Sequence, residues 1–233
     1  MTAITQTAVR AHTPPIYRAL RVAIAIFGIV ALAWIPLRNI DVDSFSTSNY
    51  FSYFTVLSNV LGVVALLVGG LVDPQSTRWQ LFRGAATLYM VITGIIYAVL
   101  LANIDVTLND KWINDTMHRY LPLVLLADWV LNPPRVRITD RQAVTWLWFP
   151  LVYGVYTLTR GPVVDWYPYP FIDPRTQGYL QMAIGLVVLL VAFVLMALAV
   201  NAAGRLARRW RYGSDKRPLT PDEIESGESE VEA

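Results

Sequence analysis

Residues 117–131, MHRYLPLVLLADWVL, decide the fold class, because they set a histidine, an arginine and an aspartate into a run of Leu and Val. A transmembrane helix needs about 20 residues, so this run reaches that length only when residues 113–116 are included. His118 and Arg119 then lie just below one membrane surface, and Asp128 lies near the other. Ionisable groups at such depths face a wet cavity or a partner rather than lipid. The stretch therefore predicts a membrane helix with polar groups that need a structural or functional explanation.

The composition of the whole chain supports a membrane protein. The chain has 233 residues, of which 55% are hydrophobic and 15% are charged, whereas soluble domains carry about 25% charged residues. We predict an all-α bundle of six transmembrane helices over residues 16–210, between a polar arm at residues 1–15 and a disordered tail at residues 211–233. The six predicted spans are residues 16–37, 49–71, 79–102, 113–131, 143–160 and 178–201.

The basic residues predict the orientation of the bundle. Fourteen of the 19 lysines and arginines lie in the N-terminal arm and first turn, around the second and fourth joints between spans, or after the last span. The remaining joints are rich in aspartate. Because basic loops stay on the cytoplasmic side, we expect both termini in the cytoplasm. The arginine-rich, cysteine-free composition suits a bacterial cell membrane.

The second span, NYFSYFTVLSNVLGVVALLVGGL, has one face of small and polar residues. At 1.5 Å per residue, Thr55 lies about 9 Å below the predicted helix start at residue 49, and His118 lies at a similar depth in the fourth span. Two spans that enter from one side can bring a hydroxyl and an imidazole to the same level. The alternative for this face is a packing seam between helices, and for His118 a contact with lipid headgroups. The residues of the face are Thr55, Ser58, Asn59 and Gly62.

Patterns typical of soluble enzymes are missing from the sequence. We find no GxSxG, HExxH, Walker or CxxC motif. The chain has no cysteine and two histidines, which excludes thiol catalysis, disulfides and a multi-histidine metal site. We expect no metal, no cofactor and no nucleic-acid partner. For acid–base chemistry near neutral pH, His118 is the side chain with a suitable ordinary pKa, since His12 lies in the polar arm.

Three stretches together resemble a known family of membrane proteins. They are YFTVLSNV at residues 53–60, MHRYLPLVLLADWV at residues 117–130 and YPYPFID at residues 167–173. In order and membrane sidedness they are similar to the androgen-induced-gene family of six-span proteins, whose animal members hydrolyse fatty acid esters of hydroxy fatty acids. The resemblance implies a threonine hydrolase with Thr55 as the nucleophile and His118 as the essential histidine.

Other residues match or depart from the family pattern. Asp128 matches the acid ten residues beyond the histidine, and Tyr169 and Phe171 belong to a YPF motif that an acid follows. Some relatives have an acid where this chain has Ser58, and small hydroxyl residues follow the histidine where this chain has Arg119. These departures bear on the substrate rather than on the chemistry.

The leading hypothesis is a hydrolase of long-chain lipid esters with its active site toward the extracytoplasmic side. The sequence does not identify the oxyanion donors, and Asn59 and Arg119 are the two candidates. Asp128, about 15 Å along the helix from His118, is assigned to structure or to the floor of the cavity. We expect Asp128 to pair with one of three arginines in the joint that follows its span. The residues expected to support the site or bind the substrate lie in several spans and in the last outer joint. The three arginines are Arg135, Arg137 and Arg141, and the supporting residues are Asn59, Ser58, Arg119, Asp128, Tyr97, Tyr169 and Phe171.

Two further hypotheses stay open. One is a non-enzymatic carrier or receptor that binds a lipid or small molecule in the same outward-facing cavity, with His118 as a proton-sensitive group. The other is an accessory subunit whose polar faces are assembly seams. The aromatic and proline-rich joint at residues 161–175 is either a plug at the membrane surface or a lid over the cavity. In each case the partners are membrane lipids.

Overall fold

The computed structural model describes residues 12–101 and 110–213. These residues form α-helices and no strand, so the all-α prediction is confirmed for the described part of the chain. The α-helices are α1 (Pro15–Arg38), α2 (Thr47–Tyr50), α3 (Phe54–Leu71), α4 (Thr77–Ile96), α5 (Lys111–Asp115), α6 (Leu121–Leu131), α7 (Asp140–Val144), α8 (Trp148–Val164), α9 (Pro174–Gln177) and α10 (Tyr179–Tyr212).

Several of these helices are joined by turns of a different pitch. A π-turn at Tyr97–Leu101 continues α4, and a second π-turn at Thr116–Tyr120 joins α5 directly to α6. A 3-10 turn at Thr145–Leu147 joins α7 to α8. Residues 111–131 and 140–164 are therefore two helical segments with a change of pitch inside each. Single π-turns inside helices are rare and are frequently found at functional sites.

Four helices are long and apolar enough to cross a membrane: Pro15–Arg38, Phe54–Leu71, Thr77–Leu101 and Tyr179–Tyr212. Such helices are what an integral membrane protein requires. The other two predicted spans correspond to the segments 111–131 and 140–164, and their membrane crossing stays a prediction. So does the orientation of the bundle. The predicted start of the disordered tail at residue 211 is wrong, because α10 continues to Tyr212. The rest of the predicted tail, residues 214–233, lies outside the described part of the chain.

The second span begins later than the sequence suggests. Helix α3 starts at Phe54, and residues 47–50 form the separate short helix α2, whose N-cap Ser46 accepts a hydrogen bond from the backbone of Asn49. Tyr53 between the two helices has an extended backbone. The predicted start at residue 49 is therefore wrong, and Thr55 is the second residue of its helix rather than two turns inside it.

The core forms where α3 packs between α1 and α4, and where α4 packs against α6 and α10. Helices α1 and α3 approach closely at Gly70, where a Cβ atom would stand 2.6 Å from the side chain of Val22. Small residues at such crossings let membrane helices pack tightly. On the other side, the fully buried indole of Trp129 on α6 donates a hydrogen bond of 2.9 Å to the carbonyl of Val200 on α10.

A buried ion-pair cluster fixes α6 against α1 and α4. One carboxylate oxygen of Asp128 lies 2.7 Å from Arg21 Nε on α1, and the other lies 3.0 Å from Arg83 Nη2 on α4. The predicted arginine partners of Asp128 were therefore wrong, because the helices that flank α6 in space supply its arginines, and the following joint supplies only the side-chain amide of Asn132 at 3.3 Å. Its alternative role as the cavity floor is also not seen, since Asp128 does not line the cavity described below.

A second buried pair ties the start of α1 to the joints on the same side. Asp73 lies 3.0 Å from Arg135, and it accepts hydrogen bonds from the backbone and hydroxyl of Thr13. Burial alone would raise the pKa of Asp73, but the hydrogen bonds from Thr13 and the charge of Arg135 outweigh burial and hold the pKa below its usual value. Arg135 is thus occupied by Asp73 and is not the partner of Asp128.

We expect Asp128→Ala to destabilise the fold by about 3–5 kcal/mol, because it leaves the buried Arg83 without a carboxylate and leaves Arg21 with only the longer 3.8 Å contact to Asp73. Thermal unfolding of the detergent-purified protein measures the change. Asp140→Ala is the control, since Asp140 pairs with Arg205 at an exposed position and Asn201, its other partner, keeps a hydrogen bond to the carbonyl of Ile138, so its loss should change the midpoint little. Equal midpoints for the two variants would show that the buried cluster is not a stabilising element.

Candidate functional site

The structure brings Thr55 and His118 together, although 63 residues separate them in the chain. Thr55 Oγ1 lies 3.3 Å from His118 Nε2. Thr55 sits in the first turn of α3, and His118 sits in the π-turn between α5 and α6. Both residues are about nine-tenths buried, with 8% of each exposed. Their proximity is what a hydroxyl nucleophile and its base require.

The second ring nitrogen of His118 defines the tautomer. His118 Nδ1 lies 3.1 Å from the carbonyl oxygen of Asn114. A carbonyl only accepts hydrogen bonds, so Nδ1 carries the hydrogen of the neutral ring and Nε2 presents its lone pair to Thr55. The ring is therefore oriented to accept the proton of the Thr55 hydroxyl.

Tyr97 holds the imidazole ring from one side. The two rings stack with centroids 4.2 Å apart and an interplanar angle of 23°. The Tyr97 hydroxyl accepts a hydrogen bond of 2.6 Å from the side chain of Asn114. The backbone carbonyl of the same Asn114 is the partner of His118 Nδ1. Tyr97 and His118 each lie in one of the two π-turns. Tyr97 is thus a positioning residue for His118 and does not line the cavity, where Thr93 of the same helix lies.

Two tyrosine hydroxyls accept hydrogen bonds from the first backbone N–H groups of α3. The first backbone N–H groups of a helix have no acceptor inside the helix, and Tyr53 at the N-cap makes no side-chain cap bond. The N–H of Phe54 instead donates to the Tyr153 hydroxyl at 3.1 Å, and the N–H of Thr55 donates to the Tyr169 hydroxyl at 3.2 Å. The sequence indicates that Tyr153 lines a cavity or makes interhelical hydrogen bonds, and it does both. Its role as an acceptor for the start of α3 is visible only once the true helix boundary is known.

The Tyr169 hydroxyl is also next to the candidate nucleophile. Its oxygen lies 3.4 Å from Thr55 Oγ1. Burial raises the pKa of Tyr169, so the phenol stays protonated at neutral pH. Because its oxygen accepts the N–H of Thr55, its own hydrogen remains available for Thr55 Oγ1 or for a ligand in the cavity.

The two residues expected to stabilise an oxyanion are engaged elsewhere. The side-chain nitrogen of Asn59 donates to the carbonyls of Thr55 at 2.8 Å and Met117 at 3.1 Å, which uses both of its N–H groups. Arg119 pairs with Asp115 at 2.9 Å, and its side chain is 55% exposed. The hydroxyl of Ser58 donates to the carbonyl of Phe54. These three side chains therefore support the backbone or the surface, and neither Asn59 nor Arg119 is placed as an oxyanion donor.

An apolar cavity of 340 Å³ begins at Thr55. Its walls come from α3, α4, α8, α10 and the loop before α9, and Thr55, Thr93 and Tyr169 are among its few polar lining residues. His118 is not among the described lining residues, and it contacts the Thr55 hydroxyl without lining the cavity itself. Representative apolar residues of the wall are Ile92, Ile96, Leu158, Leu186 and Phe193. The shape and chemistry suit a hydrocarbon chain.

The loop between α8 and α9 closes one end of this cavity. Tyr169 and Phe171 stack with ring centroids 5.2 Å apart, and both line the wall. Asp173 caps α9 through the backbone N–H of Arg175 at 2.9 Å, and the two side chains form an ion pair at 2.8 Å. The Arg175 guanidinium also contacts Asp165 and lies over the ring of Tyr167. The loop is thereby held in the position that brings Tyr169 to Thr55.

The comparisons with known proteins add no relative. Neither a protein-family model, nor a curated protein, nor a solved structure matches the chain. Among residues 12–101 and 110–213, no group of three His, Cys, Asp or Glu side chains is placed to hold a metal ion. The case for a function therefore rests on the geometry around Thr55 and on the three motifs quoted above.

The loop should loosen in acid. The hydrogen bond from Arg175 holds the pKa of Asp173 below its usual value, which is about 3.9 for a free Asp. The carboxylate therefore contributes its full stabilisation above that usual value and loses it as the pH falls through the lowered pKa. We expect Asp173→Asn, which mimics the protonated acid, to increase hydrogen–deuterium exchange of residues 165–177 at pH 7. Asp41→Asn, at an exposed position after α1, is the control, and unchanged exchange in Asp173→Asn would contradict this assignment.

Proposed function

We propose that this protein is a membrane-embedded hydrolase of long-chain lipid esters, with Thr55 as nucleophile and His118 as general base. The observation that carries the proposal is the 3.3 Å contact between Thr55 Oγ1 and His118 Nε2 at the wall of an apolar cavity. The motif resemblance to the androgen-induced-gene family supports the same assignment. The substrate class is any ester with a long acyl chain, and fatty acid esters of hydroxy fatty acids are included.

The chemistry proceeds in two balanced steps. As Thr55 Oγ1 attacks the ester carbonyl, His118 Nε2 accepts the hydroxyl proton and then gives it to the departing alkoxide, which leaves as an alcohol. The acyl group is now bonded to Thr55. A water molecule attacks this ester, His118 takes one proton from it, and that proton returns to Thr55 Oγ1 as the fatty acid departs. Nδ1 keeps its hydrogen bond to Asn114 throughout, which stabilises the ring when it is charged.

Tyr169 is the proposed oxyanion donor. When the carbonyl carbon bonds to Thr55 Oγ1, negative charge develops on an oxygen close to that atom. The Tyr169 hydroxyl, 3.4 Å from Thr55 Oγ1, has a hydrogen to give and is held by the N–H of Thr55. A fixed donor in a site without bulk water stabilises such charge strongly. Tyr169 therefore takes the role that Asn59 and Arg119 do not fill.

The membrane arrangement belongs to the same proposal. The segments 111–131 and 140–164 cross the membrane beside the four long apolar helices, and the basic joints lie in the cytoplasm. Thr55, at the start of α3, and Tyr169, in the loop after α8, then stand at the extracytoplasmic end of the bundle. Water reaches the acyl-enzyme from that side.

A carrier or receptor for lipids is the second candidate function. It is favoured by one observation, namely that the cavity is almost wholly apolar and His118 is not part of its described lining. A carrier would hold the acyl chain and show no turnover. The experiment below separates the two functions.

We expect Thr55→Val and His118→Gln each to lower kcat/KM about 10²–10⁴-fold, because each removes one partner of the proton transfer. Hydrolysis of p-nitrophenyl esters and of long-chain ester lipids by the detergent-purified protein measures this. The double variant should lose little more than either single variant, since the two residues act as a unit. Thr87→Val is the control, since this buried hydroxyl bonds only to the backbone of its own helix. Binding of lipid without turnover by the parent protein would favour the carrier instead.

We expect Tyr169→Phe to lower kcat about 10²-fold with little change in KM, as for the loss of one oxyanion donor. Tyr153→Phe is the matched control. Tyr153 also accepts a backbone N–H at the start of α3, but it donates its own hydrogen to the carbonyl of Ser52. A purely structural role of Tyr169 would give both variants the same loss of stability and the same kcat, and that result would remove Tyr169 from the mechanism.

A further inference from the structure

The apolar cavity reaches the surface between α8 and α10. Leu151 and Val155 on α8 line it and are 45% and 64% exposed. Val187 and Leu190 on α10 line it from the opposite side and are 62% and 41% exposed. The same side chains therefore face both the cavity and the outside, so they form the rim of a lateral opening. We call these four residues the lateral rim.

The surface around the lateral rim is apolar. Helix α10 has the most apolar window among the four long helices, and only 11% of that window is buried inside the protein. Because a helix of this length and composition crosses the hydrocarbon layer, an opening in its middle faces lipid chains rather than water. Large side chains beside the rim are exposed as well, including Ile184, Val188 and Val191.

The polar and apolar ends of the cavity have the same order along the helix axis as the ester and the acyl chain of a lipid in one leaflet. Thr55 and Tyr169 lie at one end of the helices, whereas the lining of α8 extends from Leu158 back to the 3-10 turn at Leu147. The eleven residue steps between Leu147 and Leu158 correspond to about 16 Å along the axis. A lipid in one leaflet likewise holds its ester near the surface and its chain toward the middle of the bilayer. A sideways shift through the rim would carry the ester to Thr55 without turning the molecule.

We propose that the lateral rim is the entrance through which the acyl chain of a bilayer-dissolved ester slides into the cavity, and that Gly154 sets its width. The inference rests on the proposed hydrolase function and specifies its substrate as a lipid taken directly from the membrane. The cavity volume of 340 Å³ falls within the range of pockets that hold small ligands, about 300–1,000 Å³.

Gly154 is suited to this role by its position. It lines the cavity between the rim residues Leu151 and Val155, and a Cβ atom added there meets no atom within 4 Å. A side chain at residue 154 therefore begins in open space, with its Cβ atom clear of every neighbour. Glycine inside a helix is also about 1 kcal/mol less favourable than alanine, so local stability gives no reason for a glycine here.

The test is the chain-length profile of Gly154→Trp. We expect the ratio of kcat/KM for dodecanoyl to acetyl p-nitrophenyl ester to fall at least tenfold relative to the parent protein. Gly185→Trp is the matched control, because Gly185 on α10 also has no atom within 4 Å of an added Cβ but does not line the cavity. Its ratio should equal that of the parent. An unchanged ratio in Gly154→Trp overturns the entrance, whereas a parent protein without turnover of either ester overturns the hydrolase itself.

A cysteine variant tests the entrance without relying on turnover. The chain contains no cysteine, so Val155→Cys gives a single thiol on the rim and Val163→Cys gives one on the same helix away from the cavity, at a position 82% exposed. After reaction with a bulky maleimide, a fatty acid ester that carries a diazirine at the chain end is photolysed with the protein in nanodiscs. We expect the modified Val155→Cys protein to lose labelling of α4 and α10 peptides, and the modified Val163→Cys protein to keep it. Equal labelling of both, or protection of Val155→Cys from the maleimide by a second copy of the chain, overturns the inference.

Discussion

The site depends on how the first backbone N–H groups of α3 find acceptors. The first residues of α3 are buried, so bulk water does not reach these groups and the protein itself must supply their acceptors. The hydroxyls of Tyr153 and Tyr169 do so from α8 and from the loop after it. The same two contacts fix the height and rotation of Thr55, and one of them sets a phenol beside its hydroxyl. The same tyrosine hydroxyls therefore satisfy the backbone N–H groups of α3 and position the groups around Thr55.

The opposite end of the bundle is held by charge. Asp128 joins α6 to α1 and α4, and Asp73 joins the start of α1 to the fourth joint through Arg135. Removing charges from water is costly, and such pairs are tolerated when every member has several partners. Here the carboxylates each contact more than one donor. This cluster holds the long helices together far from Thr55, which leaves the other end free for an open cavity.

The sequence was sufficient for the features that follow from local composition. Apolar length predicted long membrane helices, and helical spacing together with the motifs singled out Thr55, His118 and Tyr169, which the structure brings into contact. It was not sufficient where the outcome depends on partners distant in the chain. Asp128 was paired with arginines a few residues away, but it binds Arg21, which is 107 residues away, and Arg83. The start of α3 was misplaced because its acceptors come from other elements and no capping residue marks it.

The π-turn that carries His118 also determines what lies on the rest of its helix. An α-helix advances by about 100° per residue, and a π-turn accommodates one residue more than an α-turn does. His118 at one end of the segment 111–131 and Asp128 near the other therefore face their separate partners only because this extra residue is present. Deleting a single residue from Thr116–Tyr120 would let the segment wind as a regular helix and would rotate α6 by about 100°. A rigid regular helix could then place His118 against Thr55 or Asp128 against Arg21 and Arg83, but not both.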